Sequence, residues 1–402
     1  MKDILLITNY WHFEEEKASS RYFTLANMIV ESGLKLEIIT STFYHATKSQ
    51  RDFDAQFLNS FPYKVTLINE PGYYKNVSLK RIISHRVFAK NVLEYVKKRK
   101  KPDIIYCVVP SLDVADLITA YANKNNIKVI VDIQDLWPEA YKMVINIPVI
   151  SDLIFYPMKL KANRVYSSAD DIVAVSKSYV SRALEVNKKI IDGNSVYLGI
   201  ELHNFDKYAS ESDYTIKPGN EIWVVYIGTL GHSYDLISVI DAIELLEDKG
   251  YKNIKFVVIG EGPRRQEFEE HAKQKNINYK FTGKLKYSDM VRLLTICDIA
   301  VNPIIKNSAA SIINKHADYV ASGLPIVNTQ ESKEFRTLLE EYEAGINCEN
   351  GNIVDLANKL EKLIVDDNLR KTMGENSRKL AEDRFDRLKT YEKIVKLLKG
   401  EG

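Results

Sequence analysis

The runs Pro102–Pro110 (PDIIYCVVP) and Ile127–Ile133 (IKVIVDI) are almost continuously apolar and too short to be helices. A strand reads this way when both of its faces are covered, which happens in a parallel sheet flanked by helices. The rest of the first half repeats the theme. Strands are expected at Ile4–Thr8, Leu36–Thr40, Lys64–Ile68, Asp103–Val109, Lys128–Asp132 and Asp171–Val175, with helical patterns near Ser20–Ser32, Leu79–Lys100, Asp113–Asn125, Ile150–Ser168 and Lys177–Val186. This alternation predicts an α/β fold built on a doubly wound parallel sheet.

The alternation breaks once. Gly199–Asn220 is polar, ends in Pro and Gly, and reads as a linker. A second series follows, with strands expected at Ile222–Gly228, Ile254–Gly260, Tyr279–Gly283, Asp298–Pro303, Pro325–Asn328 and Ala344–Asn347, then helices to Leu398. The expected organisation is two Rossmann-like domains, residues 1–198 and 221–383, joined by 199–220 and facing across a cleft.

A chain of 402 residues accommodates this. Cys107, Cys297 and Cys348 lie far apart, without metal or disulfide spacing, which suits a reducing cytoplasm. The N-terminus enters a strand directly, so no signal peptide is expected, and no apolar run approaches a bilayer span. The net charge of +2 hides an asymmetry: residues 1–200 hold 27 Lys and Arg against 21 Asp and Glu, and residues 201–402 hold 29 against 33. The basic half suits an anionic partner such as a phospholipid surface, and equally an uneven scatter of solvated charge. The segment Asn146–Tyr166 reads either as an interfacial helix with snorkelling lysines or as an ordinary amphipathic helix on the sheet.

The chemistry concentrates in the second half. Ser308–Thr329 (SAASIINKHADYVASGLPIVNT) reads as a polar loop, a short helix carrying Asp318, a turn and a buried strand. A carboxylate can accept from both hydroxyls of a ribose, and a helix start offers N–H groups to an anion. Upstream, GTLGHSYD (Gly228–Asp235), VIGEGPRRQEF (Val258–Phe268) and FTGKLKYSDM (Phe281–Met290) each put a glycine turn after a strand. One such turn is common packing; several on one sheet edge make a nucleotide pocket.

These motifs resemble the donor domain of a GT-B glycosyltransferase of family 4, the large retaining group. The resemblance rests on YIGTLG, VVIGEGPRRQEF, YKFTGKLKYSDM, CDIAVNP and above all NKHADYVASGLPIV, which is similar to a form seen in capsule and O-antigen transferases. In the first half, DIQDLWPEAY (Asp132–Tyr141) is similar to a segment of the fucosamine-transferase-like subgroup. The resemblance implies a cytoplasmic enzyme that moves a hexosyl or N-acetylhexosaminyl group, with retention, from a nucleotide sugar (a UDP-sugar is favoured) to a lipid-linked or other saccharide acceptor in surface polysaccharide synthesis. It implies no further cofactor, no metal, no nucleic acid, peripheral contact of the basic first domain with the inner membrane, and a C-terminal helix, about 384–402, returning to the first domain.

Residue by residue, the resemblance implies that Asp318 binds the ribose, that Gly228, Thr229 and Gly231 approach the diphosphate, that backbone near Lys284 and Leu285 holds the base, and that Ser311 and Ile312 offer N–H groups. Two departures stand out. The first of the family's paired acids falls on Ala310, and its basic pair on Thr229 and Asp235, so either His232, Lys306 or Lys315 supplies the positive charge or the diphosphate rests on backbone amides alone. In the first domain Ser19, Ser20 and Arg21 open the first helix, with Arg21 a candidate for an anionic acceptor. Asp132 and Asp135 are the candidate catalytic acids; Asp135 reads equally as a helix cap. Trp137 and Glu139 are acceptor candidates, or packing and a first-turn acid. The alternatives are a catalytically silent nucleotide-sugar-binding partner and a nucleotide-sugar epimerase.

Overall fold

The computed structural model describes residues 1–13, 16, 21–76, 78–142, 150–211, 217–306 and 312–401. It divides into two compact units, Met1–Tyr197 with Thr390–Gly402, and Leu198–Lys389.

The strands of the first unit are β1 (Asp3–Ile7), β2 (Lys35–Ser41), the short ribbon β3 (Phe43–Tyr44) and β4 (Ser49–Gln50), β5 (Lys64–Ile68), β6 (Ile104–Val109), β7 (Lys128–Ile133), β8 (Asp171–Ala174) and β9 (Asn194–Ser195). Apart from the ribbon they form one parallel sheet in the order β5-β2-β1-β6-β7-β8-β9. Its helices are α1 (Arg21–Glu31), α2 (Ala55–Leu58), α3 (Leu79–Lys98), α4 (Leu112–Lys124), α5 (Glu139–Lys142), α6 (Ile150–Ser168) and α7 (Lys177–Leu184).

Period-two alternation explains the apolar runs. In β1, Leu5 and Ile7 enter the core shared with α3, α4 and α6, while Ile4 and Leu6 enter a second core on the opposite face. In β6, Ile105, Cys107 and Val109 take the first face and Ile104, Tyr106 and Val108 the second. Tyr391, Ile394 and Leu398 from the end of the chain complete that second core beside Leu25 and Ile29 of α1.

The second unit opens with α8 (Leu202–Ser210), in the segment read as a linker. Leu202 and Phe205 bury its apolar side, so that stretch is a packed helix; residues 212–216 of the expected linker lie outside the described residues. Then come β10 (Ile222–Ile227), α9 (Leu236–Asp248), β11 (Ile254–Ile259), α10 (Arg265–Gln274), β12 (Tyr279–Gly283), α11 (Tyr287–Thr295), β13 (Ile299–Asn302), α12 (Asn314–Ala321), β14 (Ile326–Asn328), α13 (Lys333–Glu341) and β15 (Gly345–Asn347), followed by further helices. The parallel sheet runs β12-β11-β10-β13-β14-β15. Chain order runs outward in one direction from β10 and in the other from β13. Open α/β sheets bind ligands at the carboxyl ends of the strands beside such a reversal. Among the described residues no helix is long and apolar enough to cross a membrane.

Candidate functional site

In the second unit, the chain leaves β10 as Gly228-Thr229-Leu230-Gly231. Three glycine turns lock together here. Gly228 N donates to Ile259 O at 2.9 Å, Leu230 N to Glu261 O at 2.9 Å, and Gly260 N to Gly283 O at 3.0 Å. A Cβ on Gly260 would fall on the Gly228 carbonyl oxygen, and one on Gly262 on the Leu230 backbone. Gly260 and Gly262 therefore serve backbone-to-backbone packing, which fixes the Gly228 loop.

Lys315, in the first turn of α12, reaches that loop from the other side of the sheet reversal. It is only 7% exposed, and its Nζ finds no hydrogen-bond partner among the described residues. The Nζ lies 4.1 Å from the ring centroid of Tyr226 and 3.7 Å from that of Tyr234. A Cβ placed on Gly228 would come within 2.8 Å of it, so the missing side chain is what lets the amine meet the loop. Burial drives the Lys315 pKa well below the usual lysine range. The two π faces favour the charged form but do not replace lost hydration. The arrangement is an amine held dry beside a glycine loop, a cradle suited to an anion.

Further along α12, Asp318 accepts a 2.8 Å hydrogen bond at Oδ1 from Tyr287 Oη, and the ring of Tyr208 in α8 packs edge-on against Tyr287. Burial raises the Asp318 carboxyl to about 6, against the pull of Tyr287 and Arg387. The start of α12 rests on a buried polar ladder. Asn302, Asn328 and Asn347 stand in register at the ends of β13, β14 and β15. Asn302 Nδ2 donates to Asn328 Oδ1 and Asn328 Nδ2 to Asn347 Oδ1, both at 2.8 Å, and Asn302 also contacts fully buried His316 at 3.2 Å. Phe335 stacks on the His316 ring at 3.5 Å.

The remaining expected donor residues divide. Thr229, His232, Lys284 and Lys306 are exposed, and Thr229 O accepts from Tyr226 Oη at 2.8 Å. Leu285 sits half-buried in the turn before α11, and Ile312 is buried. Asp235 caps α9 through Ser238 N. Ser311 and Ala310 lie outside the described residues.

In the first unit, the structure overturns two readings. Asp132 is fully buried and its oxygens are taken by Tyr22 Oη at 3.0 Å, Tyr106 Oη at 2.8 Å and Gln134 Nε2 at 2.6 Å, with Arg21 Nη2 at 3.6 Å. It neutralises Arg21 inside the core and is not placed to touch a substrate. Arg21, 4% exposed, is committed to Asp132 and Gln134 and lies 5.0 Å from the Tyr391 ring, so it is not an open anion site. Ser19 and Ser20 lie outside the described residues.

Trp137 is buried: its ring stacks on His85 at 6.1 Å and carries the Arg81 guanidinium 4.9 Å from its centroid, at the wall of a groove in this unit. Its Nε1 donates to Asp135 at 3.2 Å. Asp135 stays partly exposed, and burial raises its pKa above the ordinary aspartate value. Glu139 accepts from Arg182 Nε at 2.7 Å. Sequence reading missed Arg81, whose Nη2 donates to Tyr10 Oη at 2.9 Å, and the neighbouring His45 and His85, held neutral by burial with pKa values near 4 and 3. Arg81 and His85 stand one turn apart on α3 and His45 follows β3, so no single local motif marks the cluster.

Residues 210–380, under half of the chain, match the family described as glycosyl transferases group 1. The capsular polysaccharide biosynthesis glycosyltransferase CapM of Staphylococcus aureus is 24% identical over 301 residues, covering 71% of this chain and 74% of that protein. A Campylobacter jejuni enzyme, the α-1,4-N-acetyl-D-galactosaminyltransferase acting on a GalNAc-GalNAc-diNAcBac-PP-undecaprenol, is 23% identical over 40% of this chain and 43% of its own length. Among solved structures, Anabaena Alr3699/HepE in complex with UDP superposes with a TM-score of 0.71 at 13% identity, covering both chains fully. The chain has the GT-B fold, and the matched residues 210–380 lie within its second unit.

Proposed function

We propose that the protein is a retaining glycosyltransferase that takes a hexosyl or N-acetylhexosaminyl group from a UDP-sugar and passes it to a lipid-linked saccharide in surface polysaccharide synthesis. The observation that carries the reading is the unpartnered Lys315 amine beside the Gly228 loop. A buried amine without an acceptor is unfavourable, and an arriving diphosphate relieves it.

Departure of the nucleoside diphosphate concentrates negative charge on its outer phosphate. In this reading Lys315 and the first turn of α12 meet that charge in a dry site, where a preorganised cation acts most strongly. Lys315 takes over from the basic pair whose places hold Thr229 and Asp235. Asp318, oriented by Tyr287, accepts from the ribose. Asp135, with its raised pKa, is the first-unit group assigned to the acceptor hydroxyl. Support for UDP comes from the UDP complex of a protein with the same fold, and support for a lipid-linked acceptor from the undecaprenol-linked substrate in the Campylobacter enzyme's name.

Calorimetric titration of UDP and UDP-sugars into wild type, Lys315→Met and Asp318→Ala tests the site, and UDP release with sugar captured on an isoprenoid-pyrophosphate saccharide tests the reaction. Each substitution should weaken donor binding at least tenfold. Unchanged dissociation constants in both variants would remove the basis of the reading.

A further inference from the structure

Two cations of the first unit converge on one aromatic ring. The Arg81 guanidinium, in the first turn of α3, lies 5.4 Å from the centroid of Tyr73, and the Lys48 amine lies 5.1 Å from the same centroid. Among the described residues neither forms an ion pair. Their proximity is unfavourable. Lys48 titrates below the usual lysine range, first through burial and then through Arg81, and His45 beside them is pushed down to about 4 by burial, Lys48 and Arg81. The hairpin between β3 and β4 also holds Lys48 at φ +59°, where a residue with a Cβ is rarely placed.

Arg81 is fixed as well as charged. Its Nη1 donates to Asn76 O at 2.8 Å and its Nη2 to Tyr10 Oη at 2.9 Å, while its Nε finds no acceptor among the described residues. The guanidinium lines a groove of about 730 Å³ together with Asn76, Trp137 and Tyr141, so a ligand can reach it. A planar fork held in one orientation, with donors to spare, suits a carboxylate. The acids nearby limit how much charge the site can take. Glu70, 2% exposed, accepts from Ser84 Oγ at 2.8 Å, and Asp135 accepts from Trp137 Nε1. Burial raises the pKa of each and Arg81 pulls each back, so both already take up part of its charge. What is left uncompensated is about one positive charge, which matches a monoanion. A phosphate monoester, at about −2, would crowd Glu70 and Asp135.

We propose that Arg81 and Lys48 form a carboxylate-binding site, which makes the acceptor an acidic saccharide with a uronic acid at or beside the residue that receives the sugar. The Trp137 ring joins the site to Asp135, the group assigned to the acceptor hydroxyl. The inference deepens the acceptor half of the proposed function and rests on it for its role. Its binding test uses no nucleotide.

The full-length chain is titrated with methyl glucuronide and methyl galacturonide, with methyl glucoside, glucuronamide, glucose 6-phosphate and succinate as controls, while the histidine ring signals are followed by NMR. A uronide should bind at least tenfold more tightly than methyl glucoside and glucuronamide. It should also move the His45 titration to higher pH, because the anion offsets the two cations that depress it. Arg81→Gln and Lys48→Met should each weaken uronide binding tenfold or more, and Arg81→Lys, which keeps the charge but loses the fork, should not restore it. Lys48 is half-buried in a hairpin, so Lys48→Met should keep the wild-type melting profile and carries the test if Arg81→Gln fails to fold. A uronide that fails to bind a protein still binding UDP-sugars overturns this inference alone; uronide binding without any donor affinity supports the carboxylate site and counts against the donor-site reading. The inference is also overturned if uronides bind no better than the neutral glucoside, or if the folded variants bind them like wild type. Tighter binding of glucose 6-phosphate would assign the site to a phosphate, and tighter binding of succinate to a free acid, and either overturns it.

Discussion

The phenolic hydroxyl of Tyr287 donates a 2.8 Å hydrogen bond to Oδ1 of Asp318, the carboxylate assigned to the donor ribose. The bond orients the carboxylate and favours its ionised form, working against the burial that raises the Asp318 pKa to about 6. Ribose hydroxyls need the ionised form as a two-sided acceptor. Donor affinity in wild type should therefore fall as pH drops through about 6, and Tyr287→Phe should move that midpoint upward. Titrations of both proteins between pH 5 and 8 check this. A midpoint that Tyr287→Phe leaves in place separates Asp318 from the ribose.

The same carboxylate has a sign-definite effect on stability. Its folded pKa lies above the unfolded value of 3.8, so folding favours the protonated form. That stability is fully present below the unfolded value and is lost as pH rises through about 6. At pH 7.5 the ionised group thus weakens the free protein, and Asp318→Asn should stabilise it by on the order of 1–2 kcal/mol while abolishing the donor-induced rise in melting temperature. A lower melting point for the unliganded variant at that pH would contradict the burial assigned to Asp318.

Lys315 makes donor binding a proton-linked event. Its pKa is depressed by burial, and a bound diphosphate would restore the charged form. At pH 8, where Asp318 is already ionised, binding should take up a fraction of a proton, seen as a heat that varies with the ionisation enthalpy of the buffer. Lys315→Met should remove that dependence. It should also stabilise the unliganded protein by about 1–3 kcal/mol, because a buried donor without an acceptor is gone.

What the sequence could reveal follows from the range of each interaction. The apolar runs that became β1, β6, β10 and β11 are legible because burial on both faces is written in consecutive residues. Asp318 and Gly228 are legible through local motifs. The partners that give them their properties are not: Tyr287 is 31 residues from Asp318, and the rings around Lys315 come from Tyr226 and Tyr234 on another strand end. Helix α8 looks like a linker in the sequence because only Leu202 and Phe205 are buried in an otherwise polar stretch. Asp132 misled for the opposite reason: an acid at a strand end looks catalytic until Tyr22, Tyr106, Gln134 and Arg21 are seen closing over it.

That closure makes a stability prediction. Arg21 and Asp132 are both buried, and removing one partner strands the other's charge. Asp132→Ala should cost about 3–5 kcal/mol in urea unfolding, whereas Arg21→Met combined with Asp132→Asn should recover part of that loss. A donor affinity that stays wild type in the folded double variant would agree with a purely structural role. A stability change under 1 kcal/mol for Asp132→Ala would mean that water reaches the site and that the buried network is not as described.

Substitution separates glycines that pack from glycines that border the ligand. Gly260 has φ +151°, and a Cβ there would strike the Gly228 carbonyl, so Gly260→Ala must push the Gly228 loop off β11. It should lose at least about 1 kcal/mol of stability, more than the entropic gain of the substitution returns, together with donor affinity. Gly231 meets only Thr229 Cγ2, 3.7 Å from an added Cβ, and φ lies outside the left-handed region. Gly231→Ala should therefore keep the melting temperature, so any loss of donor affinity in it reports ligand contact alone. Thermal melts and donor titrations on the two variants read both effects. Equal destabilisation would show that the two turns do the same work, and that the loop beside Lys315 is held by something other than its contact with Gly260.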